Sequence, residues 1–327
     1  MLRLFLLITT LLCAKLCSDE QTFLTNIRQI TFPEMGFEKA GEAYFSPDEE
    51  RIIFQAVPVG KQHYQMYVME LNKGSPVMIS TGEGVCTCGF FHPKLQKVIF
   101  ASSHDSPLVD QTCEPKEGKY TWDLTPYMNI YEANFDGTCL VPLTCGSAYH
   151  AECAYSPDGT EIVFASNESG TMNLYIMSAT GSNVRQLTHT DYSYNGGPFF
   201  SPDGTKIIFR SDRDTPDYLQ IFSIDRDGSN ETQLTNNTSV NWAPYWHPDG
   251  KHIIFTKSLG KHHRYELFIL NREIGSEKRI TFNDSFDGLP VFNHDGTKLM
   301  WTSKRGKDGK CQIFIADFNS ENLRDDS

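Results

Sequence analysis

A nine-residue phrase recurs six times along the chain and constrains its fold more than any other feature. It reads SPDEERIIF from Ser46, HPKLQKVIF from His92, SPDGTEIVF from Ser156, SPDGTKIIF from Ser201, HPDGKHIIF from His247 and NHDGTKLMW from Asn293. Successive starts lie 46, 64, 45, 46 and 46 residues apart, so only the second interval is stretched. A period in the mid-forties built from short β-like runs is the signature of a propeller blade.

The unit from Ser201 shows the internal plan. Gly197-Pro198-Phe199-Phe200 reads as an innermost strand that ends in the turn Ser201-Pro202-Asp203-Gly204. There Pro fixes φ, the Asp side chain can bond the turn backbone, and Gly takes the positive-φ position. Lys206 to Arg210 is the second strand and Leu219 to Ile224 the third. After an Asp227-Gly228 turn, Thr232 to Thr235 is the fourth. The third-strand phrase returns as QMYVM from Gln65, NIYEA from Asn129, NLYIM from Asn173, ELFIL from Glu266 and QIFIA from Gln312. The fourth returns as VMIS from Val77, VPLT from Val141, RQLT from Arg185 and KRIT from Lys278. No fourth-strand phrase follows Gln312, but one stands near the other end, as Arg28-Gln29-Ile30-Thr31. The expected fold is all-β. It is a six-bladed β-propeller of four-stranded antiparallel blades, its ring closed by an N-terminal strand that completes the last blade. Residues 19–327 form that one domain, with a blade-two loop insertion over about 103–128 and a short tail over 319–327.

Residues 1–18 carry Arg3 and then an apolar run from Leu4 to Ala14, the pattern of a secretory signal and too short to span a bilayer as a helix. The mature chain is expected to be secreted: periplasmic in a bacterium, extracellular in a eukaryote, and without membrane insertion. Its formal charge of −12, more negative still once Arg3 and Lys15 are gone, argues against a nucleic-acid partner. Of the cysteines beyond the signal, Cys86, Cys88, Cys113, Cys139, Cys145 and Cys153 cluster around blade two, with Cys311 apart. In an oxidising compartment Cys113 is expected to pair with Cys139 or Cys145. Cys86-Thr87-Cys88 offers two thiols on one strand, which favours structural cysteines over a metal site. Sequons begin at Asn167, Asn230, Asn236, Asn237 and Asn283 and matter only in a eukaryotic host.

In an up-and-down blade the tight turns share one face, and the longer second-to-third and fourth-to-first loops share the other. Six residues before each turn stand Ala40, Cys86, His150, Asn195, Asn241 and Asp287; two residues further on stand Glu42, Cys88, Glu152, Gly197, Ala243 and Leu289. These positions are expected to converge on the channel mouth of the long-loop face, with Trp242 alongside. The insertion falls on that face, as does a basic arc that includes Lys261, Arg264, Lys304 and Arg305. Glu42, His150, Glu152, Asn195, Asn241, Trp242, Asp287, Lys261, Arg264, Lys304 and Arg305 are therefore the candidate ligand-binding residues.

The SPDG turn, aromatic third strand, DG turn and LT strand together resemble the WD40-like repeats of TolB-type β-propellers, over about residues 26–318. NWAPYWHPDG, DGLPVFNHDG and LMWTSKRG are similar to phrases of secreted TolB-like proteins. The family's namesake carries a separate α/β domain ahead of its propeller. Here only a short stretch separates the signal from the first strand, so that domain is expected to be absent. No G-x-S-x-G, H-E-x-x-H or glycine-rich phosphate loop occurs. The expected function is a monomeric, non-catalytic binding or adaptor propeller. It would recognise a protein or an anionic glycan on the face with the insertion, without cofactor or metal. The alternative is a metal-assisted, lyase-like enzyme using His150 and nearby carboxylates at the channel mouth, because some propellers of this group resemble pectin-fragment lyases.

Overall fold

The computed structural model describes residues 20–72, 74–106, 124–260 and 264–323. The leader, Lys261, Cys113 and most of the blade-two insertion lie outside these. Six four-stranded antiparallel sheets follow one another, five of them continuous in sequence. Blade four, for example, is Asn195–Phe200, Lys206–Ser211, Gln220–Asp225 and Thr232–Gln233. The sixth sheet joins Asp287–Phe292, Lys298–Ser303 and Gln312–Phe318 to Leu24–Gln29 from the other end of the chain. The expected ring closure is therefore the observed one. No helix among the described residues is long and apolar enough to cross a membrane.

The second strands explain how the blades pack. Ile52-Ile53-Phe54, Val98-Ile99-Phe100, Ile162-Val163-Phe164, Ile207-Ile208-Phe209, Ile253-Ile254-Phe255 and Leu299-Met300-Trp301 are all 0–1% exposed. A strand buried on both faces reads as a continuous apolar run rather than an alternation, and these do so because each sheet is sandwiched between its neighbours. The turns follow the expected chemistry. Ser46, Ser156 and Ser201 each donate from Oγ to the Asp two residues on, at 2.5–2.6 Å, and accept the backbone N–H five residues on.

A second repeated device locks the fourth strand to the third. Ser80, Thr144, Thr188, Thr235, Thr281 and Thr31 each donate a hydrogen bond to the side chain that opens the third strand. Their respective acceptors are Gln65, Asn129, Asn173, Gln220, Glu266 and Gln312, at 2.6–3.1 Å. Each hydroxyl also accepts the next backbone N–H of the third strand, from Met66, Ile130, Leu174, Ile221, Leu267 and Ile313. Thr31 belongs to the closing segment, so the same lock seals the ring, at 2.8 Å to Gln312 and 2.9 Å from the Ile313 amide.

Every innermost strand breaks its ladder at an equivalent place, and that of blade one breaks a second time, at Phe37/Lys39. Register shifts fall at Gly41/Ala43, Thr87/Phe90, Ala151/Ala154, Gly196/Phe199, Trp242/Tyr245 and Gly288/Val291. Within each, one residue takes left-handed backbone: Glu42, Cys88, Glu152, Gly197, Ala243 or Leu289, with φ of 47–59°. Such bulges bend the strand and re-aim side chains.

Two stability outcomes follow. Thr31→Val leaves the Ile313 amide and the Gln312 carbonyl without their buried partner, and should cost about 1–3 kcal/mol in urea denaturation, as should Thr188→Val in a continuous blade. Ala243→Gly relieves left-handed strain and should be neutral or stabilising by up to about 1 kcal/mol, whereas Ala243→Val should destabilise.

Candidate functional site

The bulges decide what reaches the axis. Glu42, Cys88, Glu152, Gly197, Ala243 and Leu289 line a narrow axial chamber of about 30 Å³, room for a water or two. Below them, two residues nearer each turn, Tyr44, Phe90, Phe199 and Tyr245 form a plug. Ring centroids lie 5.2 Å apart for Tyr44–Phe90, 5.6 Å for Tyr44–Phe199 and 5.1 Å for Phe199–Tyr245. Past the plug the channel widens into a funnel of about 450 Å³ that opens on the tight-turn face. Its walls are Phe45, Phe91, Tyr155, Phe200, Trp246 and Phe292, and its rim is Pro47, Pro93, Pro157, Pro202, Pro248 and His294, one of each from every blade. The larger cavity thus lies on the face opposite the one the sequence pointed to.

The narrow chamber holds a buried charge cluster. Arg210, from the second strand of blade four, bonds Glu152 at 3.2 Å and Tyr194 Oη at 2.8 Å. Tyr194 donates to Glu152 at 2.6 Å, and the Gly197 amide donates to the same carboxylate. A Cβ on Gly197 would collide with Arg210 Nη1, and one on Gly196 with Tyr194 Oη, so the glycine pair makes room for this cluster. Glu42 accepts from Tyr44 Oη at 3.3 Å. Burial pushes the Glu42 carboxyl up to about 7, with the charge of Glu152 adding to the rise and the Cys88 thiol and Arg210 opposing it. Burial also holds the Cys88 and Cys153 thiols far above their ordinary range, so neither supplies a thiolate nucleophile.

The residues six before each turn behave differently from the sequence expectation. His150 is 6% exposed, and Asn195, Asn241 and Asp287 are wholly buried rather than set around an open mouth. The bulge inserts a residue and reverses side-chain parity, so these positions turn away from the axis. Asn195 bonds the Met172 carbonyl and Thr190 of blade three, and Asn241 bonds Gln220 and Asn237 of blade four. Asp287 accepts from Trp301 Nε1 at 3.0 Å and pairs with Arg305 at 2.6 Å. His150 Nε2 lies 3.4 Å from Glu168, and burial lowers the imidazole below its ordinary range. Among the described residues neither His150, Glu42 nor Glu152 belongs to a group of three His, Cys, Asp or Glu side chains close enough to share an ion. Cys86 bonds Ser102 and Gln65 while Cys88 faces Glu42, so the two thiols form no common site. Trp242 is buried against Tyr265 and Phe286.

The basic arc is largely neutralised within the chain. Arg305 is shared by Asp287 and Glu20, Arg264 pairs with Asp284 at 3.1 Å, and Lys304 is exposed. Lys261 lies outside the described residues. Among those described, Cys86, Cys88, Cys139, Cys145, Cys153 and Cys311 are free thiols, and the expected partner Cys113 lies outside. Arg210 and the aromatic-walled funnel were missed at the sequence level. The funnel's signal was present in the aromatic that precedes every turn.

The raised Glu42 predicts a pH dependence. Its folded pKa lies above that of the unfolded chain, so its contribution to stability is full below about pH 4.5 and is lost as pH rises through about 7. Glu42→Gln should therefore match the wild type near pH 4.5 and exceed it at pH 8 by on the order of 2–3 kcal/mol, read as two stability–pH curves that separate as pH rises.

The fold has relatives among solved structures. A structure described as TolB, from Agrobacterium tumefaciens, matches with TM-score 0.60 and 19% identity over 90% of this chain and 97% of that one. TolB from Acinetobacter baumannii matches with TM-score 0.55 and 17% identity, over 86% of this chain and 64% of that one. Oligogalacturonate lyase from Vibrio parahaemolyticus gives TM-score 0.56 and 14% identity, over 89% and 93%. At these identities the likeness speaks to the fold alone. In sequence, the family model described as TolB beta propeller domain matches residues 143–264 and 233–326, together more than half of the 327 residues. The chain belongs to the TolB β-propeller family.

Proposed function

We propose that the chain is a secreted, monomeric, non-catalytic binding propeller that holds an extended protein segment in the funnel of its tight-turn face. The observation that carries this reading is the contrast between the two axial spaces. The chamber is small and its buried charges answer one another, whereas the funnel is wide and every blade contributes an aromatic ring to its wall. A concave, aromatic-lined surface of this size gains binding energy by taking apolar side chains out of water.

The rim specifies the partner further. Hydrogen bonds from Ser46, Ser201 and Thr297 hold the carboxyls of Asp48, Asp203 and Asp295 below their usual range. At Asp158 and Asp249 burial opposes ionisation, yet the turn hydrogen bonds outweigh it and these carboxyls also lie low. Asp48 and Asp158 pair with Arg51 and Arg226, and Asp249 faces two histidines, which leaves Asp203 and Asp295 as the acidic groups of this face suited to an apolar segment flanked by Lys or Arg. The basic arc on the opposite face supports an anionic glycan less well, because most of its described members already have carboxylate partners. An adaptor role is also what the family resemblance implies.

A second reading, lyase-like chemistry, draws on the shared fold of oligogalacturonate lyase and on Glu42, a buried acid poised near neutrality beside the Glu152–Arg210 pair. Its weakness is space, since the chamber has no room for a sugar ring.

Photo-crosslinking separates these ideas. A benzophenone side chain placed at Pro202, on the funnel rim, should capture a discrete protein from an extract of the source cells, and the same probe at Lys304 should not. Capture from Lys304 alone would return the site to the long-loop face. Release of unsaturated product from oligogalacturonate with Mn²⁺, abolished by Glu152→Gln, would favour the enzyme.

A further inference from the structure

Blade five departs from the other turns in a way that the binding role does not use. Three turns open with Ser and one with Asn, and the residue five further on is Arg51, Lys97, Glu161, Lys206 or Lys298 in the other five blades. In blade five both positions are histidine, giving His247-x-Asp249-x-x-His252. The turn brings all three side chains together, and one ligand atom from each falls within 4.8 Å of the others. His247 Nδ1 lies 3.1 Å and His252 Nδ1 2.7 Å from Asp249 Oδ2. The other carboxylate oxygen, Oδ1, is taken by the amides of Lys251 and His252, so Oδ2 alone is aimed at the two rings.

The backbone of the turn orients the rings. At the matching position in blade two, His92 Nδ1 accepts two backbone N–H bonds at 3.0 Å, from Lys94 and Leu95, which fixes Nδ1 as a lone pair. His247 Nδ1 likewise accepts from the Asp249 amide, at a longer 3.2 Å. His247 Nδ1 thus stands 3.1 Å from Asp249 Oδ2 and His252 Nδ1 2.7 Å from it, so the three ligand atoms meet over one carboxylate oxygen. Two imidazole nitrogens and a carboxylate oxygen, all within 4.8 Å of one another, make a donor set that one small cation can draw together. Both rings are held: His247 is 6% exposed and packs edge-on against Phe292 at 4.8 Å, and His252 is 9% exposed. Asp249 keeps solvent access, which leaves water free to fill the remaining positions.

We propose that His247 Nδ1, Asp249 Oδ2 and His252 Nδ1 bind a divalent first-row transition-metal ion of the zinc class on the tight-turn face. For both Nδ1 atoms to ligate the ion, each ring takes its Nε2–H tautomer. Hard cations such as Ca²⁺ and Mg²⁺, which take oxygen ligands, are not accommodated by this nitrogen-rich set. The ion would tie the turn to the start of the second strand beside Pro248, a residue of the funnel rim.

The test is calorimetric titration of the chelator-treated full chain with ZnCl₂, MgCl₂ and CaCl₂ at pH 7.5. It compares the wild type with His247→Ser, which restores the residue of three other repeats, and His252→Lys, which restores that of blades two, four and six. Each variant is expected to lose one equivalent of Zn²⁺, or about tenfold or more in its affinity. The metal-free melting temperature should stay within a few degrees, and Zn²⁺ should raise it only in the wild type. Wild-type protein that takes up no Zn²⁺, or variants that keep the full stoichiometry and affinity, would overturn the proposal. Should one variant fail to fold, the other decides.

Discussion

A hydroxyl placed between two strands is the interaction on which the ring depends. In each blade the Ser or Thr that ends the fourth strand gives its proton to a Gln, Asn or Glu side chain and takes one from the following amide. Both groups are buried, so either one left unmet would cost the full desolvation of a polar atom. In the five continuous blades the device fixes the fourth-strand register where the ladder itself is only two or three residues long. It also explains why the chain tolerates a blade assembled from its two ends: Thr31 makes the same pair of bonds as Thr188 or Thr235. The lock extends outward where the third-strand amide also meets the next blade. There Asn195 reaches Asn173 and Asn241 reaches Gln220.

The axis is organised by a different constraint. Six residues in left-handed backbone, five of them not glycine, are strained unless their surroundings hold them. The amides freed by the bulges find partners on the preceding blades: Glu42 N on Thr302, Leu289 N on Thr256, and Gly197 N on Glu152. Strain in the inner strand and adhesion between blades are thus parts of one arrangement. Its product is a channel divided by aromatic rings into a small closed chamber that holds the buried charges and a wide, open, aromatic-walled funnel. The buried Glu152–Arg210 pair is expensive to desolvate and is retained only because Tyr194 and the Gly197 amide complete its hydrogen bonds.

Much of this was legible in the sequence, and the exceptions have physical causes. The turns, the third-strand phrase and the displaced RQIT strand are local patterns with local chemistry, and they gave the blade count, the strand order and the closure. The positions around the axis were not legible, because a period of two was extended through a bulge that breaks it. His150, Asn195, Asn241 and Asp287 were therefore assigned to a mouth that they do not line. Glu42 and Glu152, on the other side of the bulge, do reach the channel. Arg210 was hidden because KIIFR reads as an ordinary strand, and only the ring brings it within reach of Glu152, 58 residues away in sequence. The pairing of His247 with His252 is not marked by the linear pattern. Their proximity depends on the loop folding back over Asp249.

Closure by Thr31 and Gln312, 281 residues apart, has a consequence for how the protein comes into being. The strand made first is the last to find its place. Until residues 312–318 have been synthesised, Leu24–Gln29 has no sheet to join, and until it joins, Gln312–Phe318 is a raw edge open to any extended chain. Early blades can form as they emerge, since their contacts are local, but the final event has to gather two distant ends against the entropy of a very long loop. Biosynthesis of such a ring therefore includes an interval in which an almost complete, adhesive molecule waits for its own beginning.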